Sequence, residues 1–427
     1  MLQTLRNAWK IPELRKKILF TLFIVLIYRV GNAVPVPFVD VAQVSKYFEQ
    51  SLNTTVLGLY NAMSGSALSS ATIFALSIQP YINSSIIMQL LCIAIPALER
   101  LQKEGGDEGN KKIASITRYV TVGLGLLMGL AYYFMLKNYS LLKSEGFIYA
   151  VIIVLTFTAG SAFLMWLGEQ VTEFGIGNGI SIILFASIIS RIPAGISTAV
   201  QNLIAGSLKW YVLLLMLIGM LLLVAFIIFI TNAERRIPVQ YSKRVVGRKM
   251  YGGQSTHLPI KVNMSGVMPI IFAQSIASLP ATIAAFVAPR EGGFWAGFLK
   301  VFDSTGAVYC VVYFILIILF SYFYAAIQYN PIEIANNLKN NGGYIPGFRP
   351  GRPTSQFIQK VIGKITLFGA IYLGIVAVLP IIFSAITKQN SLAIGGTSVI
   401  IVVGVALETV KMLEAQMLMR HYKGFLE

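Results

Sequence analysis

The residue types that usually carry out chemistry are sparse in this sequence of 427 residues, which holds two histidines and two cysteines. His257 and His421 lie far apart, and neither an HExxH motif nor a GxxxxGKS/T motif supplies a zinc site or a P-loop for ATP. The glycines of GIGNGIS at residues 175–181 open an apolar helix and follow no strand, so a dinucleotide site is not indicated. The sequence therefore predicts neither an enzyme nor a resident cofactor.

Aliphatic side chains beside a segment of small residues form the more informative pattern. Ile78 and Ile82 are four residues apart, so they share one face of a predicted helix, and we expect Pro80 to loosen that helix locally. A ring of such side chains excludes ions by dewetting and leaves a non-specific collar for a polypeptide. Residues 57–71 are too polar to cross a bilayer, and they predict a short half-helix folded inside a bundle, because lipid cannot satisfy irregular backbone. We therefore expect a central cavity that this half-helix plugs.

The composition places these residues in a membrane. The chain is 56% hydrophobic and 12% charged, with a mean hydropathy of +0.72, whereas about a quarter of the residues of a soluble domain are charged. Several apolar runs reach the roughly 20 residues that the hydrocarbon core requires. We predict an all-α polytopic membrane protein with ten spans around a central pore. The predicted spans are 18–37, 72–97, 116–137, 147–168, 178–200, 209–231, 264–288, 306–328, 364–387 and 394–418. Arg191 and Pro193 interrupt the span at 178–200.

The basic residues predict the orientation of these spans. Most of the 34 Lys and Arg residues fall in the N-terminal segment, in the loops expected at 98–118, 232–263 and 329–364, and in the C-terminal tail. Because cytoplasmic loops are enriched in Lys and Arg, both termini should be cytoplasmic. A long loop after the sixth span divides the chain into two inverted five-helix halves, residues 1–205 and 206–427. Inverted repeats place their functional site at the interface between halves.

Two of the cytoplasmic loops are longer than topology requires. Residues 234–263 alternate Val, Ile and Tyr with polar residues and turn at Gly252 and Gly253, which predicts a β-hairpin. Residues 330–358 predict a short amphipathic helix followed by a basic tip rich in Pro and Gly. Basic loops can serve topology alone, but the length and defined turns of these two favour a docking surface.

Blocks along essentially the whole chain carry a resemblance to a known family. They include YRVGNAVPVPF at 28–38, IFALSIQPYINSSIIMQLL at 73–91, ERRIPVQYSKR at 234–244, NPIEIANNLKNNGGYIPGFRPG at 330–351 and GGTSVIIVVGVAL at 395–407. In order and content these blocks resemble the SecY family, the central subunits of the bacterial protein-conducting channel. Phe38, Ser77 and Gln79 depart from the family's usual Gly, Gly and Met.

The resemblance implies a pore, a plug at about 57–71 and a lateral gate between the second and seventh spans. The implied pore ring consists of Ile78, Ile82, Ile180, Leu184, Ile271 and Ile401. The polar gate residues are Asn83, Ser275 and Thr397. Hydrogen bonds between such residues in an apolar environment are worth about 1 kcal/mol each, which is weak enough to open under a bound signal helix.

The resemblance also implies a passive channel for unfolded polypeptides in the plasma membrane, which releases membrane segments laterally into the lipid bilayer. The SecA motor ATPase or a ribosome would supply the energy, and SecE and SecG would be small membrane partners. Arg349 in the PGFRPG tip matches the family's docking arginine, and Arg248 and Lys249 match a basic pair in the other loop.

A secondary transporter built from inverted five-helix repeats is the rival interpretation. Transporters place Asp, Glu or Arg near the midplane for a coupling ion or substrate. Here Arg29 lies near the outer end of the first predicted span and Glu408 near the cytoplasmic end of the last one. A charged midplane group is therefore missing, and uptake of a small solute by this chain alone would be needed to favour the transporter.

Overall fold

The fold follows from long apolar helices joined by short irregular segments. The computed structural model describes residues 2–48, 60, 61, 63–144, 146–206, 209–241, 244–246, 249–251, 255–264, 266–277, 306–387 and 396–423.

Two helices open the chain, α1 (Leu2–Lys10) and α2 (Pro12–Gly31). Pro12 begins α2 at a position where the missing amide N–H costs no hydrogen bond. The short helix α3 (Val41–Tyr47) follows, and the Asp40 side chain caps it by accepting a hydrogen bond from the Gln43 amide.

Six helices continue from residue 79 to residue 204. They are α4 (Gln79–Ala94), α5 (Pro96–Glu104), α6 (Gly106–Asn138), α7 (Phe147–Phe174), α8 (Gly179–Ile189) and α9 (Ile192–Ile204). The break between α8 and α9 falls at Ser190 and Arg191, just before Pro193, where the sequence predicted an interruption. The Asn178 side chain caps α8 by accepting from the amides of Ile180 and Ser181.

Three predictions in this region are wrong. Residues 72–78 form turns rather than helix, and Pro80 lies in the first turn of α4, where it starts the helix instead of loosening it. The loop expected at 98–118 is helical, because α5 continues after a bend of 105° at Ile95 and α6 begins at Gly106. The bend directs the polar, amphipathic helix α5 away from the axis of the apolar helix α4.

The remaining elements are α10 (Trp210–Asn232), β1 (Glu234–Tyr241), β2 (Arg244–Val246), β3 (Lys249–Tyr251), β4 (Ser255–Lys261), α11 (Met268–Ala277), α12 (Ala307–Gln328), α13 (Pro331–Asn340), β5 (Gly343–Tyr344), α14 (Arg352–Thr387) and α15 (Gly396–Lys423). The amphipathic helix expected after residue 330 is α13, which the Asn330 side chain caps. The predicted turn that follows has a positive φ of 72° at Gly342.

The predicted hairpin is present, and the residues expected at its turn, Gly252 and Gly253, lie outside the described residues. β1 pairs antiparallel with β4, and β2 pairs antiparallel with β3, with Val246 opposite Lys249. Residues 247 and 248, which separate β2 from β3, also lie outside the described residues. β5 adds to the other edge of β1, which gives the strand order β4-β1-β5.

The helices and strands belong to two compact units. Unit 1 contains Met1–Leu214, Ser278–Tyr309 and Pro380–Glu427, and unit 2 contains Leu215–Ala277 and Cys310–Leu379. In unit 1, α8 packs against α7 and α15, and α6 packs against α4 and α7. In unit 2, the core under the β-sheet is formed with α13 and the start of α14.

Six described helical segments are long and apolar enough to cross a membrane, and there are seven if the bent pair α4–α5 counts as one broken span. The fold is therefore that of a largely helical, polytopic membrane protein, and the ten-span arrangement remains a proposal.

Candidate functional site

An irregular segment is packed inside unit 1 between helices. Its described part comprises residues 60, 61 and 63–78, and it consists of turns from Ser64 onward, so the half-helix expected up to residue 71 is not formed there. Leu68 and Leu76 belong to a buried cluster that includes Tyr132 of α6 and Phe157 of α7. We call residues 60–71 the inner segment. Its backbone lies in protein rather than lipid, as irregular backbone at membrane depth requires.

Two polar side chains shape the inner segment from within. The Asn61 side chain accepts a hydrogen bond from the Ser69 amide at 3.0 Å, and its carbonyl accepts from the Ser64 hydroxyl at 3.1 Å. The Ser64 hydroxyl in turn accepts from the Leu68 amide at 3.3 Å. The small polar residues that make this stretch too polar to span a membrane therefore form hydrogen bonds with the backbone of its own turns.

Backbone contacts hold the end of the inner segment to the chain that leaves α2. The Val36 amide donates to the Ala71 carbonyl at 2.9 Å, and the Ile73 amide donates to the Val34 carbonyl at 3.0 Å. Gly160 of α7 approaches from the other side, where a Cβ atom would lie 1.9 Å from the Ile73 carbonyl oxygen. A glycine is thus required at residue 160 for the helix to come this close.

A cavity of about 70 Å³ lies beside the inner segment. Its lining is almost entirely apolar and includes Leu68, Leu76 and Met135. Gln79 also lines it and donates from Nε2 to the Met63 sulfur at 3.5 Å. Packing around the inner segment is therefore incomplete on this side, in contrast to the close contact at Gly160.

The predicted pore-ring residues are distributed over both units. Ile78 is fully buried at the N-cap of α4, and Ile82 is buried one turn later and donates its amide to the Ile78 carbonyl. Leu184 of α8 and Ile401 of α15 are also buried. Ile180 is half-buried, and its Cγ1 atom lies 3.2 Å from the position of a Cβ on Gly168 of α7. Ile271 is buried on α11 in unit 2.

The predicted gate residues lie on three helices. Asn83 is on α4, half-buried, and Ser275 is on α11, also half-buried. Thr397 lies at the start of α15, and its side chain is outside the described part. Their role in a gate remains a prediction.

Arg349 lies at an ordered tip between β5 and α14 in unit 2. Gly347 and Gly351 flank it with φ values of 89° and 104°, which strongly favour glycine. The rings of Phe348 and Phe357 pack against each other at a centroid distance of 4.2 Å and an interplanar angle of 31°, and the Thr354 hydroxyl donates to the Arg349 carbonyl at 2.8 Å. The Arg349 side chain is exposed at the end of this loop, so the backbone is held while the guanidinium stays available.

The second predicted docking pair is described only in part. Lys249 is the first residue of β3, and its side chain is not among the described ones. Arg248 lies outside the described residues. No group of three or more His, Cys, Asp or Glu side chains that could hold a metal occurs in the described part of the chain.

The sequence reasoning missed the hydroxyl groups that contact the inner segment. The Tyr28 hydroxyl of α2 lies 2.6 Å from the Ser187 hydroxyl of α8 and donates to the Ser64 carbonyl at 3.1 Å. The Tyr132 hydroxyl of α6 donates to the Leu68 carbonyl. A tyrosine within an apolar span is the available signal, because a buried hydroxyl needs a partner.

The architecture defines a class of protein: a helical membrane protein that carries an irregular buried segment between its helices. Comparison with known proteins gives the family. A family model for SecY matches residues 72–410. The chain is 43% identical to a protein translocase subunit SecY of Streptomyces scabiei over 441 aligned residues, and 42% identical to the subunit of the same name in Halalkalibacterium halodurans over 439, with full coverage of each chain. This chain belongs to the SecY family.

Solved structures give the same fold. A protein-conducting channel matches with a TM-score of 0.66 at 17% identity, covering 94% of this chain and 92% of that one. A structure described as Sec61 in a canine ribosome–channel complex from the endoplasmic reticulum matches with a TM-score of 0.64 at 15% identity and the same coverage. At these identities the likeness shows that the overall path of the chain is shared.

Proposed function

We propose that this chain is the central subunit of a protein-conducting channel that moves unfolded polypeptides across the plasma membrane and releases membrane segments laterally into the lipid. The single observation that carries this proposal is the full-length identity of 43% to a SecY protein translocase subunit. The buried, irregular inner segment supports it, because such a segment suits a plug that can leave a pore.

In the proposed arrangement ten spans form two inverted halves, residues 1–205 and 206–427, with both termini in the cytoplasm. The inner segment is the plug. The aliphatic collar is formed by Ile78, Ile82, Ile180, Leu184, Ile271 and Ile401. Such a collar repels hydrated ions by dewetting, yet it makes no specific contact with a passing chain.

We further propose that signal sequences leave through a gate between α4 and α11, with Asn83, Ser275 and Thr397 as its polar residues. Hydrogen bonds of about 1 kcal/mol each would close such a gate reversibly. The energy for transport comes from outside the chain, through SecA or a ribosome. The exposed Arg349 at the ordered tip suits such docking, together with Arg248 and Lys249. SecE and SecG are the expected membrane partners.

The test is reconstitution of the chain with its own small subunits into proteoliposomes, with the motor ATPase, ATP and an unfolded secretory polypeptide outside. We expect the polypeptide to become protected from added protease only when ATP and the motor are present. Absence of protected polypeptide from correctly assembled complexes would overturn the proposal. Uptake of a small solute by the chain alone, without motor or ATP, would favour a transporter instead.

A further inference from the structure

The inner segment is held in two different ways along its length. At its last residue, Ala71, and at residues 72 and 73 just beyond it, backbone contacts with residues 34–36 fix the chain. Between Ser64 and Ser70, by contrast, the hydrogen bonds that the described residues of the surrounding helices donate come from side-chain hydroxyls, those of Tyr28 and Tyr132. The boundary at Ala71 has a positive φ of 43°, a left-handed conformation that is unfavourable for an alanine. The hydroxyls of Tyr28 and Tyr132 therefore hold the part before Ala71 to the surrounding helices.

The Tyr28 and Ser187 hydroxyls form a buried pair whose hydrogens cannot satisfy every contact. Three short contacts are present: Tyr28 to the Ser64 carbonyl at 3.1 Å, Tyr28 to Ser187 at 2.6 Å, and Ser187 to the Ile183 carbonyl at 2.8 Å. Each hydroxyl carries one hydrogen, so two linear hydrogen bonds form at a time. Two arrangements use both hydrogens and also place one of them between the Tyr28 and Ser187 oxygens, which lie 2.6 Å apart.

In the first arrangement Tyr28 donates to the Ser64 carbonyl and Ser187 donates to the Tyr28 oxygen. In the second arrangement Tyr28 donates to Ser187, which donates to the Ile183 carbonyl of its own helix. The first arrangement needs the inner segment in place, whereas the second one uses only α2 and α8. Both arrangements contain two hydrogen bonds.

We propose that this pair is a reversible latch on the inner segment: Tyr28 and Ser187 exchange hydrogen-bond partners when the segment leaves, so that neither hydroxyl is left unsatisfied in the wall. This inference rests on the proposed function, in which the segment is the plug. An unsatisfied buried hydroxyl would make opening costly. The exchange of partners removes that cost, and the Ser64 carbonyl accepts a hydrogen bond from water once the segment has left.

Tyr132 gives a contrasting contact. Its hydroxyl is buried and donates to the Leu68 carbonyl, and no second hydrogen-bond partner for it occurs in the part of the chain that the structure describes. When the segment leaves, this hydroxyl loses its partner without an exchange. Tyr132 therefore favours the closed state more strongly than the Tyr28–Ser187 pair does.

The latch predicts opposite signs for substitutions at its two members. In Tyr28→Phe the Ser64 carbonyl loses its donor in the closed state. The Ser187 hydroxyl then donates to the Ile183 carbonyl in both states. In Ser187→Ala, Tyr28 keeps the Ser64 carbonyl in the closed state but loses its Ser187 acceptor in the open state. Tyr28→Phe should thus raise the resting open fraction about five-fold, and Ser187→Ala should lower it about five-fold, since one hydrogen bond is gained or lost.

The experiment measures resting ion conductance of purified channel complexes in planar bilayers, without motor or substrate. Tyr132→Phe should raise conductance about five-fold or more, and it serves as a leaky background in which the decrease caused by Ser187→Ala is measurable. Tyr133→Phe is the matched control, because Tyr133 is buried in the same cluster and no described hydrogen bond joins it to the inner segment. Thermal unfolding of each variant in detergent verifies that the complexes are intact.

A rise with Tyr28→Phe, a fall with Ser187→Ala and no change with Tyr133→Phe would support the latch. A rise with Ser187→Ala, or no change with Tyr28→Phe, would overturn it. Failure of the proposed function is distinguishable, because the parent complex would then not translocate polypeptide with motor and ATP. A parent complex that translocates normally while Tyr28→Phe has parental conductance refutes the latch alone.

Discussion

Replacement of Gly160 by alanine should separate α7 from the end of the inner segment. A Cβ at residue 160 would lie 1.9 Å from the Ile73 carbonyl oxygen, and real Cβ atoms essentially never come closer than 3.0 Å to another heavy atom. Because the obstacle is backbone rather than a side-chain end, rotamer changes cannot relieve the contact. Either the helix or the backbone at Ile73 must move by roughly an ångström, as in other overpacked sites.

The movement has a cost that the structure allows us to work out. The Ile73 amide donates a hydrogen bond to the Val34 carbonyl, and the neighbouring hydrogen bond runs from the Val36 amide to the Ala71 carbonyl. These two hydrogen bonds hold the Ile73 backbone in place. Loss of both bonds costs about 2 kcal/mol at about 1 kcal/mol each. This value lies within the 1–3 kcal/mol that is typical of extra methyl groups in a packed core.

Thermal unfolding of the purified complex in detergent measures this cost. We expect Gly160→Ala to unfold several degrees below the parent complex and to show a raised resting conductance, because the inner segment loses its anchor. Gly123→Ala is the control, since a Cβ on Gly123 of α6 meets nothing within 4 Å. Equal unfolding temperatures for Gly160→Ala and Gly123→Ala would refute the reasoning.

The remaining predictions concern the proposed collar and docking tip. Ile82→Asn should raise resting ion conductance several-fold, because an amide retains water where the aliphatic collar sheds it, and Ile82→Leu should restore the seal; parental conductance of Ile82→Asn would count against the collar. Arg349→Glu should abolish motor-driven translocation while the complex still assembles. The control is Lys339→Glu, which reverses an exposed charge on α13. Full translocation by Arg349→Glu would contradict the docking role. Phe357→Ala should weaken motor binding about three- to ten-fold, because the contact between its ring and that of Phe348 is worth about 0.5–1.5 kcal/mol. Unchanged affinity would mean that this ring contact does not position the tip.

Local patterns in the sequence were sufficient for the parts of the fold that depend on neighbouring residues. Apolar runs long enough to span predicted helices such as α7 and α10, and Arg191 with Pro193 predicted the break between α8 and α9. The alternating pattern after residue 234 predicted the antiparallel pair of β1 and β4. In each case the signal is a periodicity or a backbone restriction carried by the residues themselves.

The sequence was misleading where a long-range contact replaces local hydrogen bonds. Residues 72–78 are apolar enough to continue α4 backwards, yet they form turns. Composition cannot separate a buried turn from a buried helix, because both exclude water. Here the Val34 carbonyl accepts the Ile73 amide and Gly160 leaves room for the irregular backbone.

The amino-acid sequence by itself determined the membrane class, the approximate helices, the family and the exposed basic loops of this protein. Only the tertiary structure decided which hydroxyl meets which carbonyl: Tyr28 and Ser187 are 159 residues apart and still lie within hydrogen-bond distance. The physical reason is that a buried hydroxyl must find a partner, while the choice among partners depends on which helices pack side by side.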